Sequence, residues 1–397
     1  MENQLTTMKN ELEQELHQNI LNYWIKNTVD VKNGGFIGHI NHYNVPNPTA
    51  PKGSVLNARI LWTFSSAYRI FKNPEYFEMA NRAYHYILQH FIDKKYGGVY
   101  WELDYLGNPL NPRKQIYALS FVIYGMVEYY RACGEQKALQ TAIELYELIE
   151  KHSFDTKRNG YIEALSENWE KLADLRLSEK DANESKTMNT HLHILEAYTN
   201  LYRVYKDANL QKALENLIHL FLDKFIRTDT YHLNLFFDDD WNLKGDIISY
   251  GHDIESSWLL LEAAEVLGNS ALIEKVKPVS VNMAKAVFPA IDSDGGMFAE
   301  KEPSHNKLDT DKHWWPQAEA VVGFYNAYQL TGELEFAQKS VNSWEFIKKH
   351  IIDYKNGEWI WRVNQQGITN DQDEKAGFWK CPYHNGRVCM EIFERIK

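Results

Sequence analysis

"GGVYWELDYLGNP" occupies positions 97–109. A glycine pair opens it, a short β-like run follows, and Gly107-Asn108-Pro109 ends it. That pattern suits a small hairpin or a long irregular loop, and it stops any helix. The same punctuation recurs along the chain. "NGGF" sets its second glycine at Gly35, the quoted stretch at Gly98, "NGYIEA" at Gly160, "DGGMFA" at Gly296 and "NGEWIW" at Gly357. The intervals are 63, 62, 136 and 61 residues, and 136 is twice 68. "YHLNLFFDDDWNLKGD" (231–246) lies in the long gap and supplies the absent member without the glycines. The chain is therefore a six-fold repeat of sixty-odd residues.

Between successive loops lie two segments with apolar residues at three- and four-residue spacing, the signature of amphipathic helices. Examples are 113–132 with 135–152, and 251–267 with 270–288. Within each pair the connection is short, as in "RACGEQKAL" and "VLGNSALIEK". There Gly or Asn/Asp stops one helix and caps the next. Between pairs the loop is long. No Pro/Ser-rich linker or shift in composition divides the chain. The expected fold is all-α: one (α/α)6-barrel domain over residues 1–397, with six inner and six outer helices. Short hairpins and long loops would surround one mouth. Two domains or an open helical solenoid are the alternatives.

Composition narrows the function. Acidic residues outnumber basic ones, 54 to 43, and no basic stripe appears. Nucleic acid is not an expected partner. No apolar run is long enough to span a membrane, and the first twenty residues hold no signal-peptide core. Three cysteines without metal spacing, Cys133, Cys381 and Cys389, read as reduced thiols in a cytoplasmic protein. The chain has 12 Trp, 24 Tyr and 18 Phe. Most of these build core, but such rings also stack on flat ligands such as sugars.

Counting helices from the N-terminus, the even-numbered ones follow the long loops. They begin "KGSVLNAR" (52–59), "NPRKQIYALS" (111–120), "SKTMNTHLH" (185–193), "SYGHDIESS" (249–257), "DKHWWPQAEA" (311–320) and "KCPYHNGRV" (380–388). These starts carry Arg59, Tyr117, Asn189, His193, His252, Glu255, Trp315, Glu319 and His384. The odd helices start with ordinary amphipathic sequence such as "NPEYFEMANRAY". With parallel inner helices, the six polar starts converge on one mouth and form a small-molecule pocket. Asn189 and His193 share a helical face, as do Trp315 with Glu319 and His252 with Glu255. His191 and His193 point apart, and His193, beside Asn189, is the one assigned to the pocket. Trp314 and Trp379 each read equally well as core or rim and as a contact to ligand.

Histidine dominates this mouth. No HExxH or CxxC spacing suggests a metal, and no cofactor is expected. Glu255 and Glu319 look like supports for a Trp or His on their own helices, not like the carboxylate pair of a glycosidase. Three imidazoles suit proton transfer near neutral pH. A helix N-terminus lowers the proton affinity of His252, whereas Glu255 would raise it and fix its tautomer. Arg59 is placed to hold a developing oxyanion. These parts describe proton abstraction beside a carbonyl, such as that of an open-chain aldose.

"SYGHDIESSWLL", "KTMNTHLHILEAYT", "HWWPQAEA" and "KCPYHNGR" resemble the N-acylglucosamine 2-epimerase superfamily, most closely its cellobiose 2-epimerase branch. The resemblance runs from "GGFIGHI" (34–40) to "YHNGRVCMEIFERI" (383–396). It implies an (α/α)6 barrel that needs neither metal nor nucleotide. It also implies a disaccharide substrate, epimerised at carbon-2 of its reducing-end glucose through a cis-enediolate. His384 and His252 match the two acid/base histidines, and His193 the histidine of ring opening. Arg59 matches the arginine that stabilises the enediolate. Asn189, Tyr117, Glu255 and Glu319 match positioning residues, Trp315 and Trp379 the sugar platforms, and Trp258 a supporting tryptophan. A monomer is expected, with a homodimer as the alternative. An N-acylglucosamine 2-epimerase, an aldose–ketose isomerase, a helical-barrel glycoside hydrolase and a glycan-binding module are the rival readings.

Overall fold

The computed structural model describes residues 1–397 and contains twelve helices. They are α1 (2–27), α2 (Ser54–Phe71), α3 (74–91), α4 (Ile116–Cys133), α5 (Gln136–His152) and α6 (Met188–Val204). The second half holds α7 (208–225), α8 (Tyr250–Leu267), α9 (Ser270–Ala286), α10 (Trp314–Thr331), α11 (334–351) and α12 (Tyr383–Arg395). The even-numbered helices contact one another in order, and α12 returns to α2, closing an inner ring. The odd-numbered helices pack outside, and α1 meets both α11 and α12. This is the (α/α)6 barrel expected from the glycine spacing.

Inner helices are enclosed on nearly every side, so most of their residues are buried, whereas outer helices keep one polar face. Close approach between inner helices needs small residues. A Cβ at Gly125 would lie 2.8 Å from the Ala58 carbonyl oxygen, and one at Gly323 would lie 2.6 Å from the Ile254 side chain. One buried apolar cluster of 97 residues runs from Leu5 to Ile396. Inner-to-outer turns are short. Gly134 and Gly268 adopt left-handed φ to end α4 and α8, and Glu135 and Asn269 then accept an amide of α5 and α9.

The long loops are stitched to one another by six antiparallel bridges. Lys52–Gly53 pairs with Glu102–Leu103, Lys114–Gln115 with Ala164–Leu165, and Lys186–Thr187 with Phe236–Phe237. Ile248–Ser249 pairs with Glu300 and Lys301, and Lys312–His313 with Arg362–Val363. Glu374–Ala376 pairs back to Ile40–Asn41 and closes the ring. In five of the six repeats the lysine of the bridge before the inner helix is buried and holds the aspartate of its own glycine turn. The pairs are Lys52–Asp30 at 2.8 Å, Lys114–Asp93 at 2.6 Å, Lys186–Asp155 at 3.0 Å, Lys312–Asp292 at 2.8 Å and Lys375–Asp353 at 2.7 Å. The fourth repeat replaces both partners, with Arg227 at the aspartate position and Ile248 at the lysine position. This is the repeat that lacks the glycines. Tyr231 takes the left-handed conformation there instead (φ 61°).

His191 faces away from the barrel axis and serves this loop framework. Its Nε2 accepts the Tyr161 amide at 2.9 Å, so its Nδ1–H donates to the Thr187 carbonyl at 2.7 Å. In α10, Gln317 does the same with the Met297 amide and the His313 carbonyl. All three cysteines are unpaired, and no helix is long and apolar enough to cross a membrane.

Burial lowers the His191 pKa from 6.5 to about 4. The unfolded chain therefore binds a proton that the folded one refuses. Stability is fully present above pH 6.5 and falls as pH drops from 6.5 to about 4. His191→Gln, which copies Gln317, is expected to keep the fold and remove about 3 kcal/mol of this acid sensitivity. Urea unfolding across that pH window checks it, and an unchanged slope refutes it.

Candidate active site

The inner helices all start at one end of the barrel, beneath the stitched loops. Tyr117, Asn189, His252, Trp315 and His384 lie in their first turns. Arg59, His193, Glu255, Glu319 and Arg387 lie one turn deeper. Below these come Trp62, Tyr124, Glu196 and Trp258. The mouth thus descends from imidazoles and rings, through a charged layer, to an aromatic floor.

Arg387 is the centre of the charged layer and is fully buried. From α12 its guanidinium reaches Glu255 of α8 at 2.5 Å, Glu319 of α10 at 2.6 Å, and Glu196 of α6. Tyr383 also donates to Glu196. Each carboxylate then serves something else. Glu319 takes the His384 Nδ1 at 2.7 Å and the Trp258 indole N–H at 3.1 Å. Glu196 holds the His193 Nδ1 at 2.9 Å. A carboxylate accepts, so both imidazoles present an Nε2 lone pair when neutral. Burial raises the proton affinity of Glu196 and Glu319, and Arg387 opposes that rise. Burial also holds His193 and His384 well below the ordinary imidazole value, which keeps them neutral bases.

His252 differs. Its Nδ1 lies 2.8 Å from the Ser249 hydroxyl, not on Glu255. The pairing of His252 with Glu255 on one helix face is therefore corrected: Glu255 turns toward Arg387 and comes within 3.9 Å of the His384 Nδ1. Between burial, which lowers the His252 pKa, and the carboxylates that raise it, burial wins. The Trp315 ring packs against both histidines, with centroids 4.9 Å from His252 and 5.5 Å from His384.

Arg59 donates to the Tyr117 hydroxyl at 2.7 Å and stacks over Phe121 at 4.2 Å. Tyr117 meets the His193 ring edge-on at 4.9 Å. Trp379 stands on the rim against Trp101 and Tyr117. Asn189, chosen as the companion of His193, lines a cavity of about 220 Å³ beside His252, with Arg176, Asp181, Ser249 and Glu300. Its side-chain oxygen is buried without a protein partner. Trp258 does not face the mouth. Its ring lies 4.9 Å from the Arg387 guanidinium and lines a cavity of about 570 Å³ at the opposite end of the barrel. In that far cavity Arg69, Arg131, Arg203 and Arg395 are each paired with a glutamate. Trp314 is core, packed on Trp361 at 4.7 Å.

Glu196, Arg387, Tyr383 and Ser249 were not singled out from the sequence. A signal for two of them was present: Glu196 lies three residues after His193, and Arg387 three after His384. One ligand atom each from Glu255, Glu319 and His384 falls within 4.8 Å of the others, a spacing that suits a cation. Arg387 already bridges both carboxylates at that point, so a guanidinium fills the cationic place.

The N-acylglucosamine 2-epimerase family model matches residues 35–386. A relative from Bacteroides fragilis named cellobiose 2-epimerase is 54% identical over 385 residues, covering 97% of this chain and 98% of that protein. One of the same name from Dictyoglomus turgidum is 38% identical over 393 residues, covering 99% and 100%. The solved structure of cellobiose 2-epimerase from Bacillus thermoamylovorans superposes with a TM-score of 0.94 at 41% identity, covering 98% of this chain and 100% of that one.

Arg387→Met would leave three buried carboxylates without a counter-charge. It is expected to cost about 3–5 kcal/mol, the range for breaking a buried ion pair from one side. Arg387→Lys keeps the charge but cannot span all three carboxylates, so a smaller loss is expected. Urea unfolding of both variants measures the difference, and equal losses would show that charge alone does not stabilise the layer.

Proposed function

Because this chain belongs to the N-acylglucosamine 2-epimerase family, we propose that it epimerises cellobiose and related β-1,4-linked disaccharides at carbon-2 of the reducing-end glucose. Family membership makes it a sugar epimerase, an enzyme of the isomerase class. The disaccharide substrate rests on the names of its relatives and on the chemistry of the mouth.

One observation carries the mechanism. Two imidazoles, His252 and His384, have their Nδ1 atoms tied back at 2.8 and 2.7 Å, and Trp315 packs against both. Neither Nε2 makes a hydrogen bond within the protein, so both are free for a sugar carbon held between them. His193, backed by Glu196, is placed to move the proton that opens the pyranose ring. One of the two histidines then takes the carbon-2 proton, and the C–H electrons form the cis-enediolate. Buried Arg59 stabilises the enediolate oxygen with its N–H donors. After rotation about the bond between carbons 2 and 3, the other histidine returns a proton to the opposite face, giving glucosyl-mannose.

Trp315 and Trp379 serve as platforms for the two sugar units, and Asn189 and Tyr117 position hydroxyls. Glu255 and Glu319 act through Arg387 and His384, and Trp258 supports them from below. Every group comes from one chain, so a monomer suffices. The three unpaired thiols fit a reducing, cytoplasmic compartment. No residue of the mechanism calls for a metal or nucleotide.

Incubation with cellobiose in heavy water, followed by NMR, is expected to show deuterium at carbon-2 and a growing mannose signal. His252→Ala and His384→Ala are each expected to lower that rate by a factor of about 10²–10⁴ with the helical content unchanged. Ketose as main product would make the enzyme an aldose–ketose isomerase. Free glucose would make it a hydrolase. Conversion of N-acetylglucosamine alone, with or without ATP, would move it to the other branch of the family.

A further inference from the structure

Ser249 stands at the N-cap of α8, the position where a serine hydroxyl ordinarily accepts an amide of the first turn. Here it makes no capping bond. Its hydroxyl goes to the His252 Nδ1 at 2.8 Å and has no other partner. The backbone beneath it is fixed, since Ser249 pairs with Glu300 in the bridge that leads into α8. The residue itself is buried. The sequence therefore forgoes a cap and uses the hydroxyl to hold an imidazole.

The two histidines of the mouth are thus held by unlike groups. The Glu319 carboxylate is fixed by Arg387 and Trp258 and can only accept. The Ser249 hydroxyl is neutral and accepts from Nδ1–H without the charge that a carboxylate brings. We propose that Ser249 is a positioning residue for carbon-2 chemistry: by accepting from Nδ1–H it keeps Nε2 as the working nitrogen of His252, a lone pair when the ring is neutral and a proton donor when it is charged, with a neutral hydroxyl where His384 has a carboxylate. The inference rests on the epimerase reading above. An epimerase runs in both directions, so one histidine must give a proton in the turn in which the other takes one. When His384 takes the carbon-2 proton, its Nε2 gains the proton and the C–H electrons enter the enediolate. His252, carrying a proton on each ring nitrogen, then delivers its Nε2 proton to carbon-2 and is left neutral, with Nδ1–H still donating to the Ser249 hydroxyl.

The groups around His252 leave this role to Ser249. Glu255, Asp253, Asp181 and Glu319 act on it through charge only, and none makes a hydrogen bond to its ring. Asp253 is already engaged by the His232 Nδ1 at 2.6 Å and the Leu233 amide at 2.8 Å. Trp315 supplies packing. Around His384 stand Glu255, Glu319, His193 and two guanidiniums, Arg59 and Arg387, which favour its neutral form.

The test uses the full-length protein with ¹⁵N-labelled histidine, as wild type, Ser249→Ala and Ser249→Thr. Thr187 occupies the matching bridge position before α6, so threonine fits the local backbone. With cellobiose, Ser249→Ala is expected to lower kcat about ten- to a hundredfold, part of what general acid–base catalysis contributes, with KM within about twofold. The limb of the pH profile that reports His252 should move to lower pH, because the imidazolium loses an acceptor. Ser249→Thr should recover most of the rate. The His252 ring nitrogens, assigned with His252→Gln, should report the Nδ1–H tautomer in the wild type and average between tautomers in Ser249→Ala. Unchanged kcat, pH profile and nitrogen shifts in Ser249→Ala would overturn the proposal. So would a rate loss without a change in the His252 signals, or a folded Ser249→Thr that does not recover. If the wild type leaves cellobiose untouched, the substrate reading fails, and the nitrogen spectra still decide on Ser249.

Discussion

A single guanidinium sits among three carboxylates, out of reach of water, and much of the mouth takes its geometry from that fact. Arg387 costs several kcal/mol to desolvate, and so does each glutamate around it. Only a closely fitted arrangement repays this, so α6, α8, α10 and α12 are held at one depth. The carboxylates then pass that order outward. Glu319 sets the ring of His384, and Glu196 sets the ring of His193. The imidazoles thus inherit both orientation and tautomer from an ionic layer that has no contact with the mouth's opening. The far end of the barrel handles charge differently. There the arginines are half-buried, each paired with a glutamate, and they sit where helix C-termini favour cations.

The loop framework follows a second rule, written six times with one exception. Five buried lysines each pin a glycine turn through an aspartate, and the fourth repeat drops both partners together. Losing one alone would strand a buried charge, so the pair changes as a unit. The repeat that departs is the one feeding α8. Freed from the lysine, it uses Asp253 and His232 to tie its turn. The same helix start carries His252 and Ser249. Symmetry is relaxed where the chemistry is local and kept where only the frame is needed.

Much of the fold was legible because its signals are local. A turn that needs left-handed φ selects glycine, and glycine spacing counts the repeats. Their two-residue spacing separated His193 from His191, and His191 is bonded to Tyr161 and Thr187 in the loop framework. What could not be read is whatever crosses between helices. Spacing finds neighbours on one helix, so it paired His252 with Glu255 and Asn189 with His193. The structure gives those roles to Ser249 and Glu196 instead. Arg387 escaped notice for the same reason: its partners are Glu196, Glu255 and Glu319, which lie between 68 and 191 residues away. Trp258, read as a supporting tryptophan, donates to Glu319 and also lines the far cavity.

The ring is closed by the strand at Glu374–Ala376 returning to Ile40–Asn41, and by Trp24 of α1 donating to Glu358 across 334 positions. Closing so long a loop costs only slightly more entropy than closing a shorter one, but it cannot reward the chain until nearly all of it is in place. Arg59 enters from the first repeat, Tyr117 from the second and His384 from the last. A nascent chain can thus build helical hairpins one by one while lacking any usable site. The mouth is complete only once α12 has closed the ring, which makes activity a quality-control readout of ring assembly, blind to every partly built form.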